Sequence, residues 1–318
     1  LSRIREFRRG HPFITLKLGF AFVPNVLGED AVYRLLLLPV LIVAVAVGSV
    51  FSAPSIAQSA DREITKIAGD LYRFRNKFHY SVFLVTPEGV IATDPINADA
   101  AKWLEAEIDK RFGQPIKYVI YSHDHAYHIA GGEVWADTAT VVAHENAKWT
   151  IIGEKRPTAV PDITFTDSMT IELGGKTVEL AYVGPSHSDN MIVMLFPEER
   201  ALFTVDFITV KRLPYKTLSD AYFPNWMDAI AQVEAMDFDI LVPGHGPMGT
   251  KADAADHRRY LEDLYDGVLE AARAGRTVDQ MKAEIGLAAY QDWGQYKVWR
   301  ILNIEGIHRN ISLHRRGN

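Results

Sequence analysis

Three histidines fall within a short span of "YSHDHAYHIAGG", residues 121–132: His123, His125 and His128. The whole chain holds 11 histidines in 318 residues, so this density calls for a chemical cause. Neutral imidazole is a good zinc ligand, and a catalytic zinc takes three protein ligands while leaving a position for water. Zinc lowers the pKa of that water towards about 7, which supplies hydroxide at neutral pH. Three more candidate ligands follow in separate places: His187 in "YVGPSHSDN", Asp206 in "RALFTVDF" and His245 in "DILVPGHGP". Each comes after an apolar run, in a loop, where a rigid sheet can hold side chains in convergence. Two alternating histidines in an H-x-H loop can reach one ion, and a third, three residues on, points towards a neighbouring ion. Cysteine is absent, so only His, Asp or Glu can hold a metal. His79, His144, His257, His308 and His314 stand alone and read as packed or surface residues.

The elements that must position these residues are legible from pattern. "DLYRFRN" and "YSVFLVTPEGVIATDP" read as strands, with Pro87-Glu88-Gly89 as a hairpin turn. Residues 98–112 repeat apolar positions at helical spacing and stop near Gly113 and Pro115. "IKYVIYS" is a buried strand that runs into the histidine cluster, and 139–152 reads as a strand and then a helix. Two hairpins follow, turning at Gly174-Gly175 and between Pro197 and Arg200. A helix over 224–236 precedes the strand and loop "DILVPGHG", and the chain is helical from 252 onward, with a shorter helix from Thr277 to Ile285. Residues 290–311 are rich in aromatics and suit core packing, a cap over the pocket or a dimer contact. Strands first and helices interspersed imply α/β layering in one mature domain, residues 58–318, of which 252–318 is a helical extension.

The first 57 residues have the order of a secretory signal. Arg3, Arg5, Arg8, Arg9, Lys17 and Arg34 precede an apolar run from Leu35 to Phe51, and "SAPSIAQSA" follows with a small-residue cleavage site at Ser55-Ile56-Ala57. A start near Val32 would leave a compact signal, and an uncleaved segment would serve as a membrane anchor. Either way the expected location is the periplasm or outside, with membrane contact only through this segment. The formal charge is −6, and removing residues 1–57, which carry six basic and three acidic groups, leaves −9. With no basic stripe, nucleic acid is not the expected partner.

Taken together, these motifs resemble the metallo-β-lactamase superfamily. Its H-x-H-x-D-H signature followed by two glycines stands here as "HDHAYHIAGG", and "PSHSDNMIVMLFP", "LFTVD" and "VPGHGP" resemble the segments with its later ligands. Asp94 in "VIATDP" matches the family's first motif, a supporting aspartate. The resemblance implies a four-layer αβ/βα sandwich with C-terminal helices and one or two zinc ions at one edge of the sheets. It assigns His123, His125 and His187 to one metal, His128 and His245 to the second, and Asp206 between them. Tyr127 departs from the pattern, because the family has an aspartate ligand there. A phenol has a pKa of about 10 and is a weak zinc ligand, so the second site either fails, survives on three residues, or takes another metal. Asp124 and Asp189 are the candidates for the proton-transfer role of the missing aspartate.

The expected activity is metal-assisted hydrolysis of a small molecule, with hydroxide attacking an ester, thioester, lactone or β-lactam carbonyl. "PSHSDN" looks like the segment of true lactamases, whereas Asp206 looks more like the glyoxalase II and lactonase side of the family. Lys211 or Arg212 could bind a substrate carboxylate, against the plainer reading of two solvated loop residues. The alternative from another class is a non-catalytic metal- or ligand-binding member with a second site impaired by Tyr127. The helical extension offers a surface for core packing or for a homo-oligomer.

Overall fold

The computed structural model describes residues 61–314, and the signal or anchor expected over residues 1–57 lies outside the described residues. No described helix is long and apolar enough to cross a membrane. The chain begins with an antiparallel meander: β1 (Arg62–Ala68), β2 (Leu71–Asn76), β3 (His79–Thr86) and β4 (Gly89–Thr93). Helix α1 (Ala98–Phe112) then crosses to β5 (Ile116–Ile120), which pairs parallel with β4. The one-turn helix α2 (Ala126–Ile129) and a 3₁₀ turn lead to β6 (Thr140–His144), α3 (Glu145–Glu154) and β7 (Ile163–Phe165), completing a seven-stranded sheet in sequential order.

The second sheet has five strands in the order β12-β11-β10-β9-β8. They are β8 (Ser168–Leu173), β9 (Lys176–Tyr182), β10 (Ile192–Phe196), β11 (Ala201–Val205) and β12 (Ile240–Pro243), with α4 (Asn225–Glu234) crossing between the last two. Helices α5 (Lys251–Arg273), α6 (Val278–Glu284) and α7 (Tyr296–Leu313) close the chain. The result is the four-layer αβ/βα sandwich with C-terminal helices.

The layering follows from strands that are apolar on both faces. Val82, Leu84, Ile91, Ile120 and Val142 join the core shared with the second sheet. Their neighbours Phe83, Val90, Ala92, Val119 and Val141 face the other way, onto Ala100, Leu104 and Ile108 of α1 and Ile151 of α3. A period of two thus buries both faces of one sheet and demands a layer on each side. On the second sheet's outer side, α4 and α5 contribute Trp226, Ile230, Val233, Leu261 and Leu264 to the core.

Local signals fix the boundaries. Asn97 caps α1 by accepting a bond from Ala100 N at 2.9 Å, and Gly113 ends it at φ +61°. Helix α1 and both hairpins form as read from sequence, whereas β1, β7 and α2 did not stand out. The reasons are physical: β7 spans three residues and α2 four, too short to display a period. Strand β1 is a polar edge, with Glu63, Thr65 and Lys66 exposed, so it lacks the apolar run that marked the others.

Candidate metal centre

The centre forms where one edge of both sheets meets, and three hydrogen bonds between the strand ends and loops of the two sheets tie that edge together. Ile192 N donates to Ser122 O at 2.9 Å, Tyr80 N to Gly244 O at 2.9 Å, and the His245 ring bonds Phe78 O through Nδ1 at 2.7 Å. The loop after β5 supplies His123 and His125, and the single turn α2 supplies Tyr127 and His128. The glycine pair that closes the motif has a steric reason. Gly131 has φ +88°, and a Cβ there would lie 2.3 Å from Ala98 N; at Gly132 a Cβ would lie 1.9 Å from the Tyr121 hydroxyl. Only glycine lets α2 lie this close to the start of α1.

Asp206 reaches the centre through a strained residue. Val205 has φ +47°, a rare conformation for a β-branched side chain that costs on the order of 1–3 kcal/mol. This bend at the end of β11 accompanies the entry of the Asp206 carboxylate into the cluster. Its Oδ1 lies 3.1 Å from His245 Nε2, and its Oδ2 lies 3.3 Å from His128 Nε2 and 3.6 Å from His187 Nε2. His187 Nε2 is in turn 3.2 Å from His125 Nδ1. Two donor sets emerge, His123/His125/His187/Asp206 and His128/Asp206/His245, each with its donor atoms within 4.8 Å of one another.

The residues fit a divalent metal. His123 Nε2, both His128 ring nitrogens and Asp206 Oδ1 are buried without a hydrogen-bond partner, which is costly for polar atoms unless something else satisfies them. Burial pushes the His123 imidazole well below its ordinary pKa and the His187 imidazole down to about 4, so both are neutral and available as ligands at pH 7. For Asp206, burial would raise the pKa, but His128 and His245 hold the carboxyl well below its usual range. Supporting groups orient the rings, as they do around metal ligands generally. Ser122 Oγ contacts His123 Nδ1 at 2.8 Å and donates to Asp94 Oδ2 at 2.7 Å, while Asp94 Oδ1 accepts from Ser122 N at 2.8 Å.

Tyr127 is 42% exposed, yet its hydroxyl is turned inward. It lies 2.8 Å from His125 Nδ1 and donates to Asp206 Oδ2 at 3.2 Å. Burial of that end and the nearby Asp206 charge push the phenol well up, so it stays protonated. A hydrogen-bond donor therefore stands where a carboxylate would accept.

Asp124, a candidate for proton transfer, is buried among other partners. Its Oδ2 accepts from Arg156 Nη2 at 2.9 Å and its Oδ1 from Asn190 Nδ2 at 2.8 Å, so the carboxylate braces two loops rather than facing the cavity. Asp189 is likewise engaged, with Oδ1 accepting from Asn190 Nδ2 at 2.8 Å. Asp220, in a loop that carried no motif, also approaches the cluster, 3.5 Å from His125 Nε2.

The centre opens into a cavity of about 320 Å³ lined by Phe78, Tyr127, Arg212, Leu213, Tyr215 and Trp299, among others. Lys211 and Arg212 separate here. Lys211 pairs with Asp256 and, at 3.9 Å, with Asp253. Arg212 lines the cavity with its guanidinium 4.8 Å from the Trp299 ring centroid, and it forms no ion pair among the described residues. His79 was read from sequence as a solitary histidine and instead lines the same cavity, its ring centroid 4.8 Å from that of His245. The signal that could have found it was the apolar strand it adjoins; His79 opens its strand, whereas the candidate ligands follow theirs.

A two-sheet αβ/βα sandwich with histidines and an aspartate converging at one sheet edge defines a metallo-β-lactamase-type protein. Residues 92–245 match the family described as the metallo-beta-lactamase superfamily. Over 202 residues it is 29% identical to the alpha subunit of a 2,4-dinitroanisole O-demethylase from Nocardioides sp. strain JS1661, a match covering 60% of this chain and 60% of that subunit's length. It is 23% identical over 230 residues to a type 2 metallo-beta-lactamase from Bacteroides fragilis, covering 68% of this chain and 92% of the other. A metallo-beta-lactamase structure from Pontibacter korlensis shares the fold at a TM-score of 0.57 and 24% identity, covering 63% of this chain and 99% of that one.

Proposed function

We propose that the protein is an exported, zinc-dependent hydrolase that cleaves an ester, thioester, lactone or β-lactam bond in a small anionic molecule with an apolar or aromatic body. The observation that carries this reading is the set of buried, unpartnered donor atoms of His123, His128 and Asp206 beside an aromatic-walled cavity. His123, His125 and His187 would hold one ion, His128 and His245 would serve a second, and Asp206 lies in reach of both sets. When bound, zinc supplies Lewis acidity and a nucleophile at neutral pH.

This chain's own residues do the rest. Phe78, Tyr215 and Trp299 give the cavity apolar walls that bind a substrate body and exclude water. The Arg212 guanidinium, without a carboxylate partner among the described residues, binds the substrate's anionic group and so orients the scissile bond towards the donor cluster. Tyr127 keeps its proton at Oη, held towards Asp206, and from there can donate to an oxygen that gains charge during attack. Export is supported by the basic-then-apolar order of the first 57 residues. A net charge of −9 after their removal argues against a nucleic-acid substrate.

The test is to assay the purified protein, as isolated and after zinc is supplied, against nitrocefin, a thioester, a lactone and an aryl ester, with metal content measured in parallel. Turnover of at least one probe that stops on chelation and returns with zinc is the expected result. Bound zinc without turnover of any probe would favour the non-catalytic binding reading.

A further inference from the structure

The second donor set is one protein ligand short, because Tyr127 stands where the family signature has an acid. The structure holds a replacement that no motif marks. His79 opens β3 and is clamped on both sides to the loop that carries His245: Phe78 O accepts from His245 Nδ1 at 2.7 Å, and Tyr80 N donates to Gly244 O at 2.9 Å. This fixes the His79 backbone at the edge of the centre. Its ring centroid lies 4.8 Å from that of His245 and 5.6 Å from that of His128. Within the first donor set the corresponding ring spacings are 4.5 Å, 4.9 Å and 5.4 Å, and His128 and His245 are themselves 5.4 Å apart. His79 therefore stands to the second pair of histidines much as the first three stand to one another.

We infer that His79 is a ligand of the second metal and takes over the place vacated by the aspartate-to-tyrosine departure at Tyr127. This rests on the metal-site reading above. The donor atoms already gathered within 4.8 Å are those of His128, Asp206 and His245, so His79 joins by turning its ring about its side-chain torsions in the open cavity. Neither His79 nitrogen is committed to a hydrogen bond with another described residue. A nitrogen donor here also accounts for the tolerance of a phenol at position 127, since three imidazoles and a shared carboxylate make a donor set suited to zinc.

The experiment is a metal titration of the full chain, stripped with chelator and reloaded with Zn²⁺ or with Co²⁺ as a coloured probe. The wild type should take up two equivalents, the second with its own visible absorption band. His79→Phe keeps an aromatic ring but removes the donors; it should weaken the second equivalent at least tenfold and change only that band. Adding Tyr127→Asp to His79→Phe should restore the second equivalent. An unchanged second equivalent in His79→Phe overturns the inference. Uptake of a single equivalent by the wild type overturns it too, but leaves the first site standing; no uptake at all brings down the metal-site reading as well. Should His79→Phe misfold, His79→Ala gives the same readout.

Discussion

At the scale of single residues, the centre is defined by which polar atoms are left without partners. Asp124 sits beside two histidines of the cluster and is fully satisfied by Arg156 and Asn190. Asp206 has one buried oxygen without a hydrogen bond and is the acid shared by both donor sets. The same logic separates Lys211, spent on Asp256, from Arg212, which faces the cavity. A charge-assisted bond to a substrate anion contributes about 1.5–3 kcal/mol. Arg212→Ala should therefore raise KM for an anionic ester by roughly 10–100-fold. The neutral ester of the same alcohol should be hardly affected, and Lys211→Ala should leave both unchanged; equal losses on both esters would assign Arg212 a packing role against Trp299.

At the scale of elements, two features hold the ligands: the close approach of α2 to α1, and the anchoring of the segment after β11. Gly131 permits the first. Gly131→Ala combines a left-handed backbone, costing about 1–2 kcal/mol, with a clash against Asn97 and Ala98 backbone atoms, costing about 1–3 kcal/mol. A drop in urea midpoint together with weaker metal uptake is expected, because the displaced turn carries His125 and His128. The second feature depends on Trp226 of α4, fully buried, whose Nε1 donates to Phe207 O at 2.9 Å, one residue beyond Asp206. Trp226→Ala should cost about 3–5 kcal/mol, read as loss of folded protein in urea or heat. Gly306 plays a comparable part on α7: a Cβ there would lie 1.9 Å from Thr217 O, so glycine lets the last helix lie against the 214–218 segment beside the cavity.

At the scale of the whole molecule, acid stability should carry the mark of a buried imidazole away from the donor cluster. His257 on α5 is fully buried, with Nδ1 3.2 Å from Thr209 Oγ1, and burial lowers its pKa from 6.5 to about 3. The unfolded chain takes up a proton near 6.5 while the folded chain does so only near 3. The neutral-His257 fold is thus fully stable above 6.5 and loses stability as pH falls towards 3, by at most about 1.4 kcal/mol per pH unit from this group. His257→Leu should flatten the urea-midpoint profile across that window, whatever its effect at pH 7. A profile as steep as the wild type would show that other buried groups set the acid limit.

The sequence by itself displayed the order of strands and helices, because apolar periods of two and 3.6 are local properties of β3, β4, α1 and α4. It also displayed the spacing of His123, His125 and His128, and the substitution at Tyr127, because a loop motif is read without knowing what lies opposite. Short or polar elements such as β7, α2 and β1 carry no such period and became visible only through their pairing. The site's remaining content lay in contacts between distant segments. Phe78 and His245 are 167 residues apart, and only the meeting of the two sheets brings His79 beside His245. Tertiary structure alone turned Asp124 away, aimed the Tyr127 hydroxyl at Asp206 and left Arg212 facing the cavity while Lys211 pairs elsewhere. Residue type and spacing state what a side chain can do; burial and the neighbours supplied by packing decide which of its polar atoms are free to do it.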